Sequence, residues 1–389
     1  MSTALINTTV LTPKKLLEDS AVVISDEGKI IYVGPMEDAP HVDGRQLDLN
    51  GYIVAPGFID VHVHGGRGIV FGLPDGLEDS LHKYSEWVAQ TGVTGFLLSI
   101  AAPDAELLAA IIEVYAEIFE KEMPGAEPLG LHLEGPFLNR EKKGAFNPAW
   151  LREPNLDETE AFIKAGRGWI RQVTLAPELP GAEEVASKFR EAGVVVAMGH
   201  TNTDFETASA ALRGNWNHVT HTFNAQRGFG HRSPGVFGAI LASDDVTTEL
   251  IADLIHVHPG AMKILVRSVG VDRVVLITDA MPGAGLDDGV YDLVGHEVTV
   301  KGGIATLEDG TLAGSTAQLN QCVGNTMREV GVTLNHAVQM ATLNPARAMG
   351  LEDRLGMVAE GKDASLIVID EDVNVFLTMV KGEIVYQNL

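Results

Sequence analysis

Between about residues 54 and 352, short apolar runs alternate with stretches in which apolar residues recur every three or four positions. The first pattern is typical of buried β-strands and the second of amphipathic helices, such as those predicted at 105–120 and 183–192. Their alternation predicts a parallel sheet with crossover helices. The eight predicted strands lie at 57–64, 93–100, 129–135, 170–176, 194–200, 218–223, 250–256 and 274–279.

Eight parallel strands with intervening helices is the number found in a (β/α)8 barrel. A doubly wound open sheet is the competing architecture, but no Gly-rich dinucleotide-binding turn follows the first predicted strand. We therefore predict an α/β protein with a TIM-like (β/α)8 barrel at residues 54–352. Several glycines and short β-like pieces near 285–315 interrupt the alternation, and they predict a β-hairpin insertion after the eighth strand.

The two ends of the chain show a different pattern. Short β-like runs fill the first 50 or so residues and the last 30, with turn sequences such as Asp26-Glu27-Gly28 between them. Neither end has enough apolar surface to fold alone. We therefore predict that residues 1–53 and 353–389 together form one small β-sandwich domain, with the barrel inserted between them.

The charge of the chain narrows the classes of partner. The 389 residues include 53 acidic and 28 basic ones, for a formal net charge of −25. Such a negative surface repels nucleic acid and anionic membranes, so neither is expected as a partner. An anionic substrate would need a local basic pocket.

The sequence contains neither a predicted membrane span or signal peptide nor a pair of cysteines. No stretch approaches the roughly 18 to 20 apolar residues that span a bilayer, and the N-terminus lacks the pattern of a signal peptide, so a cytoplasmic location is expected. The single cysteine, Cys322, cannot form an intramolecular disulfide. Any metal ligands are therefore His, Asp or Glu.

Potential ligands and proton carriers stand where the predicted strands end. Because side chains alternate along a strand, the sequence at 59–65 places Asp60, His62 and His64 on one face. The C-terminal strand ends of a barrel form one face, and that face carries the active site. The candidate residues at these ends are His62, His64, Glu134, His200, His221, His256 and Asp279.

Taken singly, each candidate also has a structural explanation. A buried, hydrogen-bonded carboxylate would account for Glu134, a core histidine for His200, and a helix cap for Asp279. Their joint occurrence at the strand ends favours a shared site. Four other histidines lie away from these ends and are predicted to have no role in the site: His41, His82, His296 and His336.

Imidazole and carboxylate ligands together suit Zn²⁺ or Fe²⁺, with Mn²⁺ and Co²⁺ in the same group, whereas Mg²⁺ and Ca²⁺ prefer oxygen alone. Glu134, His200 and His221 with water in a fourth position would form an open, catalytic site. His62 and His64 would hold a second ion, with Glu134 between the two. The sequence thus predicts one or two divalent ions per chain.

Asp279 completes the predicted chemistry. A bound ion would lower the pKa of a water and supply hydroxide near neutral pH. Asp279 is placed to take the proton of that water and pass it to a leaving group. The predicted reaction is hydrolysis of an amide or a related bond.

These residues also carry a resemblance to a known family. The runs at 56–65, 199–201 and 361–366, together with Asp279, resemble the amidohydrolase superfamily. More specific runs resemble its N-acetylglucosamine-6-phosphate deacetylase family and extend in the same order over nearly the whole chain. These runs are Leu-His-Leu-Glu-Gly-Pro-Phe (131–137), His-Thr-Phe-Asn-Ala (221–225), His-Arg-Ser-Pro-Gly (231–235), Ile-His-Val-His-Pro (255–259), Thr-Asp-Ala-Met (278–281) and Leu-Ala-Gly-Ser-Thr (312–316).

The resemblance implies a metal-dependent hydrolase barrel that removes acetate from N-acetylglucosamine 6-phosphate, a phosphorylated N-acetyl amino sugar. It assigns the acid and base role to Asp279. The implied metal ligands are Glu134, His200 and His221 for the principal ion, and His62 and His64 for the second ion that some members carry.

The resemblance also implies how the substrate is held. Asn224, Ala225 and His256 would bind the sugar and its phosphate within one chain. Arg232 would come from the neighbouring subunit, which implies a homodimer. Arg232 and His256 would then give the acidic protein its local anion pocket.

Two loops depart from the family pattern. The family usually shows Lys-Gly-x-His in the loop after Glu-Gly-Pro-Phe, but here Ala145, also expected at the substrate site, is followed by Phe146. Losing an oxyanion donor costs about 10²- to 10³-fold in rate, so either the second ion takes over or the substrate differs. The loop at 225–230 also departs and adds Arg227. The alternatives are a deacetylase of N-acetylgalactosamine 6-phosphate or of a non-phosphorylated sugar, and a non-catalytic metal-binding scaffold.

Overall fold

The computed structural model describes residues 2–13, 15–72, 76–293 and 295–389. The strands in this part of the chain are β1 (Thr3–Leu11), β2 (Leu16–Ile24), β3 (Ile30–Pro35), β4 (Arg45–Asp48), β5 (Ile53–Pro56), β6 (Phe58–Val63), β7 (Gly65–Gly66), β8 (Ile69–Val70), β9 (Val93–Ile100), β10 (Glu127–Glu134), β11 (Ile170–Leu175), β12 (Val195–Met198), β13 (His218–Val219), β14 (Thr247–Ile251), β15 (Val274–Ile277), β16 (Gly289–Leu293), β17 (His296–Lys301), β18 (Ile304–Thr306), β19 (Leu366–Ile369), β20 (Val375–Val380) and β21 (Glu383–Gln387). The α-helices are α1 (Leu77–Ala89), α2 (Ala105–Ile118), α3 (Leu156–Gly166), α4 (Ala182–Glu191), α5 (Phe205–Arg213), α6 (Gly235–Leu241), α7 (Pro259–Val269), α8 (Leu319–Asn325), α9 (Leu334–Met340) and α10 (Leu343–Ala348).

The central sheet has eight parallel strands in the order β6-β9-β10-β11-β12-β13-β14-β15. Its two outer strands meet, because Val63 forms a parallel bridge with Ala280 and the amide of Asp279 donates to the carbonyl oxygen of His62 at 2.9 Å. The helices between strands are amphipathic; α2, for example, buries Leu108, Ile112 and other apolar residues along one side. The predicted (β/α)8 barrel is confirmed.

The strand ends differ from prediction mainly in the second half of the barrel. The sixth strand contains only His218 and Val219, and the seventh ends at Ile251. His256 was predicted at the end of the seventh strand, and that placement is wrong. It lies in the loop that connects β14 to α7.

Both ends of the chain contribute to a second sheet, with the order β21-β20-β19-β5-β1-β2-β3 and β4 paired to β1. Strand β5 is parallel to β1 and antiparallel to β19, so it joins the N-terminal and C-terminal strands. The predicted β-domain built from both termini is confirmed as part of the fold class. Its exact residue boundaries stay a prediction.

Five charged side chains tie this terminal sheet to the barrel, and we call them the anchor network. Arg354 donates to both carboxylate oxygens of Glu127, at 2.9 and 3.0 Å, and to Asp363 at 2.9 Å. Lys29 lies 2.5 Å from Asp363, and Lys381 lies 2.9 Å from Glu127. Each carboxylate of the anchor network thus has a Lys or Arg partner from the chain itself.

The insertion after the eighth strand is a three-stranded antiparallel sheet, β16-β17-β18, rather than the predicted hairpin. Gly302 and Gly303 both adopt positive φ, at 58° and 77°, which permits the second tight turn. Val298, Val300 and Ala305 of this sheet pack in one apolar cluster with Met281 and Ala313. The insertion therefore lies against the segment that follows the last barrel strand.

In the described part of the chain, no helix combines the length and the apolar character that crossing a membrane requires.

Candidate active site

Four acidic or imidazole side chains lie at the C-terminal strand ends, one as the last residue of its strand and three just beyond a strand end. Glu134 is the last residue of β10. His200, His221 and Asp279 each lie two residues beyond the end of a strand and adopt left-handed backbone conformations, with φ of 46°, 26° and 50°. Positive φ is uncommon for residues other than glycine and is concentrated at functional sites. This conformation turns the chain sharply where each side chain enters the mouth of the barrel.

The structure gathers these residues into two groups of potential metal ligands. In each group the ligand atoms lie within 4.8 Å of one another. The first-strand group consists of His62, His64 and Asp279, and the central group consists of Glu134, His200 and His221.

Glu134 lies between the two groups. Its Oε1 atom is 3.2 Å from the Nε2 atoms of both His200 and His221, and 3.4 Å from Nε2 of His62. Its Oε2 atom is 3.1 Å from Nε2 of His64. One carboxylate therefore contacts four imidazoles, which is the geometry expected of a bridging ligand.

Asp279 completes the first-strand group. Its Oδ1 atom is 3.3 Å from Nε2 of His64 and 3.5 Å from Nε2 of His62. The same two Nε2 atoms are 3.3 Å apart. Asp279 also lines the cavity above the groups, so its carboxylate is open to a bound molecule.

The donor set fits a cation. The Nε2 atoms of His200 and His221 are 3.0 Å apart, and Nδ1 of His200 lies 2.7 Å from the carbonyl oxygen of Lys142. The carbonyl can only accept, so the neutral ring carries its proton on Nδ1 and presents the lone pair of Nε2. Lone pairs and carboxylate oxygens that converge at such distances repel one another unless a positive charge lies among them.

Electrostatics supports the same interpretation. Burial would lower the pKa of His62, but the charges of Glu134, Asp279 and Glu249 outweigh it and raise that pKa well above its usual value. Burial is likewise outweighed at His64, where hydrogen bonds to Asp279 and Glu134 raise the pKa to about 9. The carboxylates thus draw positive charge into this buried site, and a divalent ion would supply it.

A further carboxylate, Glu249 on β14, lies fully buried beneath the groups. Its Oε2 atom is 3.0 Å from Nδ1 of His62 and accepts a hydrogen bond from the amide of His221 at 3.0 Å. Its Oε1 atom accepts from Gln172 at 2.8 Å and lies 3.1 Å from Nε2 of His218. The sequence patterns did not identify Glu249.

Asp60 and His132 complete the floor of the site. Burial raises the pKa of Asp60 to about 7, although Thr278 hydrogen-bonds to its carboxylate at 2.6 Å. The ring of His132 packs edge-on against that of His62, with centroids 4.5 Å apart, and burial lowers its pKa well below the usual value. A neutral His132 leaves the positive charge of the site to the two groups above it.

A cavity of about 270 Å³ opens above the two groups. Its wall includes four of the residues predicted to bind substrate: Ala145, Asn224, Ala225 and His256. The side-chain nitrogen of Asn224 is buried and has no hydrogen-bond partner among the described residues. Nδ1 of His256 lies 2.7 Å from Asp253, so its other nitrogen is free to face a ligand.

The structure also gives the positions of three other residues considered in the sequence. Phe146 lines the cavity and packs edge-on against His200, with centroids 5.1 Å apart. His296, which was predicted to have no role in the site, also lines the cavity, where its ring lies 6.3 Å from that of Trp150. Arg232 is exposed and is not part of the wall. Within the described residues, the wall contains no lysine or arginine.

The sequence profile of the amidohydrolase family matches residues 53–385. The chain belongs to the amidohydrolase family. This chain is 36% identical to N-acetylglucosamine-6-phosphate deacetylase from Vibrio furnissii over 378 residues, which cover 97% of this chain and 93% of that protein. It is also 36% identical to N-acetylgalactosamine-6-phosphate deacetylase from Escherichia coli O157:H7 over 376 residues, which cover 96% and 97% of the two chains.

Comparison with solved structures finds the same group of amidohydrolases as the sequence comparison. N-acetylglucosamine-6-phosphate deacetylase from Pasteurella multocida superposes with a TM-score of 0.92 at 31% identity, covering 99% of both chains. A variant of the Mycobacterium smegmatis enzyme in complex with N-acetyl-D-glucosamine-6-phosphate gives a TM-score of 0.90 at 34% identity and covers 99% of this chain and 100% of that one. The predicted resemblance to this branch of the amidohydrolases is confirmed.

Proposed function

We propose that this amidohydrolase cleaves the acetamide C–N bond of N-acetylglucosamine 6-phosphate, which yields glucosamine 6-phosphate and acetate. The observation that carries the proposal is the pair of ligand groups that share Glu134 at the mouth of the barrel. Near-full-length similarity to deacetylases of N-acetyl amino sugar phosphates supports the substrate class.

One or two divalent ions per chain would be held by the two groups, with Zn²⁺ or Fe²⁺ favoured by the mixed imidazole and carboxylate ligands and Mn²⁺ or Co²⁺ also compatible. When bound, such ions lower the pKa of a water and polarise a carbonyl group. The central group would hold the principal ion. The first-strand group would hold the second, with Glu134 contacting both.

Asp279 would carry the proton. Its carboxylate lies at the edge of the cavity and accepts a proton from the attacking water as the new C–O bond forms. It then returns the proton to the sugar nitrogen as the C–N bond breaks, so that the amine leaves in neutral form. The acyl product is first acetic acid, whose proton passes to solvent or to the released amine to give acetate, so atoms balance without a further reactant.

Asn224 and His256 would orient the substrate. The unpartnered side-chain nitrogen of Asn224 is a donor for a sugar or phosphate oxygen. Burial would lower the pKa of His256, but its hydrogen bond to Asp253 outweighs burial and raises that pKa, which favours a cation opposite a phosphate. Ala145 and Ala225 add small side chains that leave room for the pyranose ring.

We propose that the active enzyme is a homodimer in which Arg232 of the partner subunit reaches the phosphate. Among the described residues, the cavity wall of one chain contains no lysine or arginine. A phosphate group, however, carries nearly two negative charges at neutral pH. Arg232 is exposed and lies within the tight turn in which Gly230 pairs with Ser233. An exposed arginine on an acidic protein is available to a neighbouring copy.

N-acetylgalactosamine 6-phosphate is the second candidate substrate. The deacetylase for that epimer from Escherichia coli O157:H7 is as similar to this chain as the N-acetylglucosamine-6-phosphate deacetylase from Vibrio furnissii. The epimers differ only in the direction of one hydroxyl group. Phe146 stands where the family usually has a histidine. If this position contacts the acetamide group, which both epimers share, the change should affect the hydrolysis of both substrates equally.

The experiment that tests the proposal is acetate release by the purified protein from both sugar phosphates and from unphosphorylated N-acetylglucosamine. Metal content is measured on the same sample before and after chelation. We expect fast, chelator-sensitive release from a phosphorylated sugar and much slower release without the phosphate. Bound metal without acetate release from any of the three would leave the chain as a metal-binding scaffold or as the hydrolase of another amide.

A further inference from the structure

We infer that Glu249 is the positioning residue of the first-strand group and thereby controls whether a second ion binds. The inference rests on the metal sites of the proposed function but concerns a residue that touches neither substrate nor ion. It predicts that a single substitution at Glu249, remote from the cavity, lowers the affinity for one ion more than the affinity for the other.

Every acceptor position of Glu249 is in use. Gln172 and His218 face Oε1, and the ring of His62 and the amide of His221 face Oε2. An ionised carboxylate accepts about four hydrogen bonds and donates none. Four contacts from β6, β11, β13 and the loop after β13 therefore fix its orientation without rotational freedom.

The contact with His62 determines which nitrogen of that ring is available. Because Oε2 of Glu249 can only accept, the proton of a neutral His62 stays on Nδ1, 3.0 Å away. Nε2 is then left as a lone pair, directed toward His64 and Glu134. A carboxylate behind a ligand histidine fixes the ring and raises its basicity.

The central group is held differently. His200 is fixed by the carbonyl oxygen of Lys142, a main-chain atom that no side-chain substitution removes. Glu249 contacts His221 only through the amide, so the ring of His221 is not oriented by that carboxylate. A substitution at Glu249 should therefore affect the first-strand group more than the central group.

The informative variant is Glu249→Gln, which keeps the shape of the side chain. Glutamine has one acceptor oxygen and one NH2 group, so in either orientation its donor hydrogens face two of the four donors. If the NH2 group faces His62, the ring proton moves to Nε2 and blocks the ligand atom. Loss of such a partner lowers metal affinity by about 10- to 100-fold.

Two control variants separate positioning from packing. Gln172→Leu removes a hydrogen bond to the same carboxylate, at 2.8 Å, without touching either ligand group, so it should lower stability while leaving both affinities nearly unchanged. His64→Asn removes a ligand of the first-strand group and shows which binding step belongs to that group.

The test titrates Co²⁺ into metal-free protein and follows visible absorption and heat. We expect two binding steps in the natural sequence, and in Glu249→Gln a 10- to 100-fold weakening confined to the step that His64→Asn also removes. Equal weakening of both steps would overturn the inference, as would unchanged affinities with a lower melting temperature. No substrate is present, so the result stands even if the protein releases no acetate.

Discussion

Two clusters of acidic side chains in this molecule are neutralised in different ways. In the anchor network, at the junction of barrel and terminal sheet, Glu127 and Asp363 meet Arg354, Lys29 and Lys381. At the mouth of the barrel, the ion-pair partners of Glu134, Asp279 and Glu249 among the described residues are all histidines. Where the fold needs permanent neutralisation, the chain supplies a fixed cation.

This contrast indicates which of the two clusters would bind an external ion. Histidine is neutral or charged according to its surroundings, and its neutral form is a metal ligand, whereas lysine and arginine carry their charge at all physiological pH values. A buried acidic cluster built with histidine can therefore exchange protons for a metal ion. We expect the mouth to respond to metal and the anchor network to respond to pH and salt.

Substitution of Asp279 should change activity more than any other single substitution at the mouth of the barrel. Asp279→Asn keeps the size of the side chain but removes its ability to accept a proton, so kcat for acetate release should fall by about 10²- to 10⁴-fold. Steady-state kinetics with metal content measured on the same sample gives the value. Asp363→Asn is the matched control, since it makes the same change in the anchor network and should leave kcat unaffected. Full activity in Asp279→Asn would refute the proposed proton transfer.

Removal of metal should have the next largest effect, on stability. An ion present at a thousand times its dissociation constant stabilises the folded state by about 4 kcal/mol. Urea unfolding before and after chelation measures the free energy of unfolding, and adding metal back should restore it. Glu134→Gln, which alters the shared ligand, should weaken this response to the chelator. If chelation leaves stability unchanged, the mouth is not neutralised by an ion.

Phe146→His should have a smaller effect, in the opposite direction. A histidine beside His200 would add a donor to a mouth rich in acceptors, and kcat should rise by about 10-fold, well below the 10²- to 10³-fold value of a full oxyanion donor. The ratio kcat/KM is compared for both sugar phosphates, with Phe146→Leu as the control that adds no donor. A drop in both ratios would show that Phe146 itself contributes to substrate binding.

The smallest expected effect is the pH dependence of the anchor network. Burial would raise the pKa of Asp363, but hydrogen bonds from Lys29 and Arg354 outweigh it and lower that pKa. A lowered folded-state pKa contributes stability above the unfolded value, about 3.9, and that contribution is lost as pH falls through the folded value. Asp363→Asn should therefore cost about 1 kcal/mol at pH 7 and progressively less below pH 4. Urea unfolding across this range checks it; a constant cost would mean that packing, not charge, holds Asp363.

The sequence predicted the parts of the fold that depend on local periodicity. Strand Val93–Ile100 was placed without error, because its apolar run is uninterrupted. The convergence of the candidate residues was also predicted, since parallel strands bring their ends together whatever the lengths of the loops. Glu134 and Asp279 could be assigned to one mouth on that basis alone.

What the sequence did not reveal depends on contacts between distant segments. Glu249 was missed because the seventh strand was predicted to begin at Leu250, so a carboxylate in the barrel interior was left outside it. His296 reaches the cavity because the sheet inserted after the eighth strand places the start of its strand β17 there. Packing of an insertion leaves no periodic signal within the segment itself.

The line along which the barrel closes has a consequence for dynamics. The first and last barrel strands are joined by the hydrogen bond from the amide of Asp279 to the carbonyl oxygen of His62, and these same residues belong to the first-strand group. An ion in that group would act as a non-covalent cross-link across the closure. Separation of the two strands and release of the ion would then be a single event, and deuterium uptake at the amide of Asp279 would slow as the metal concentration rises.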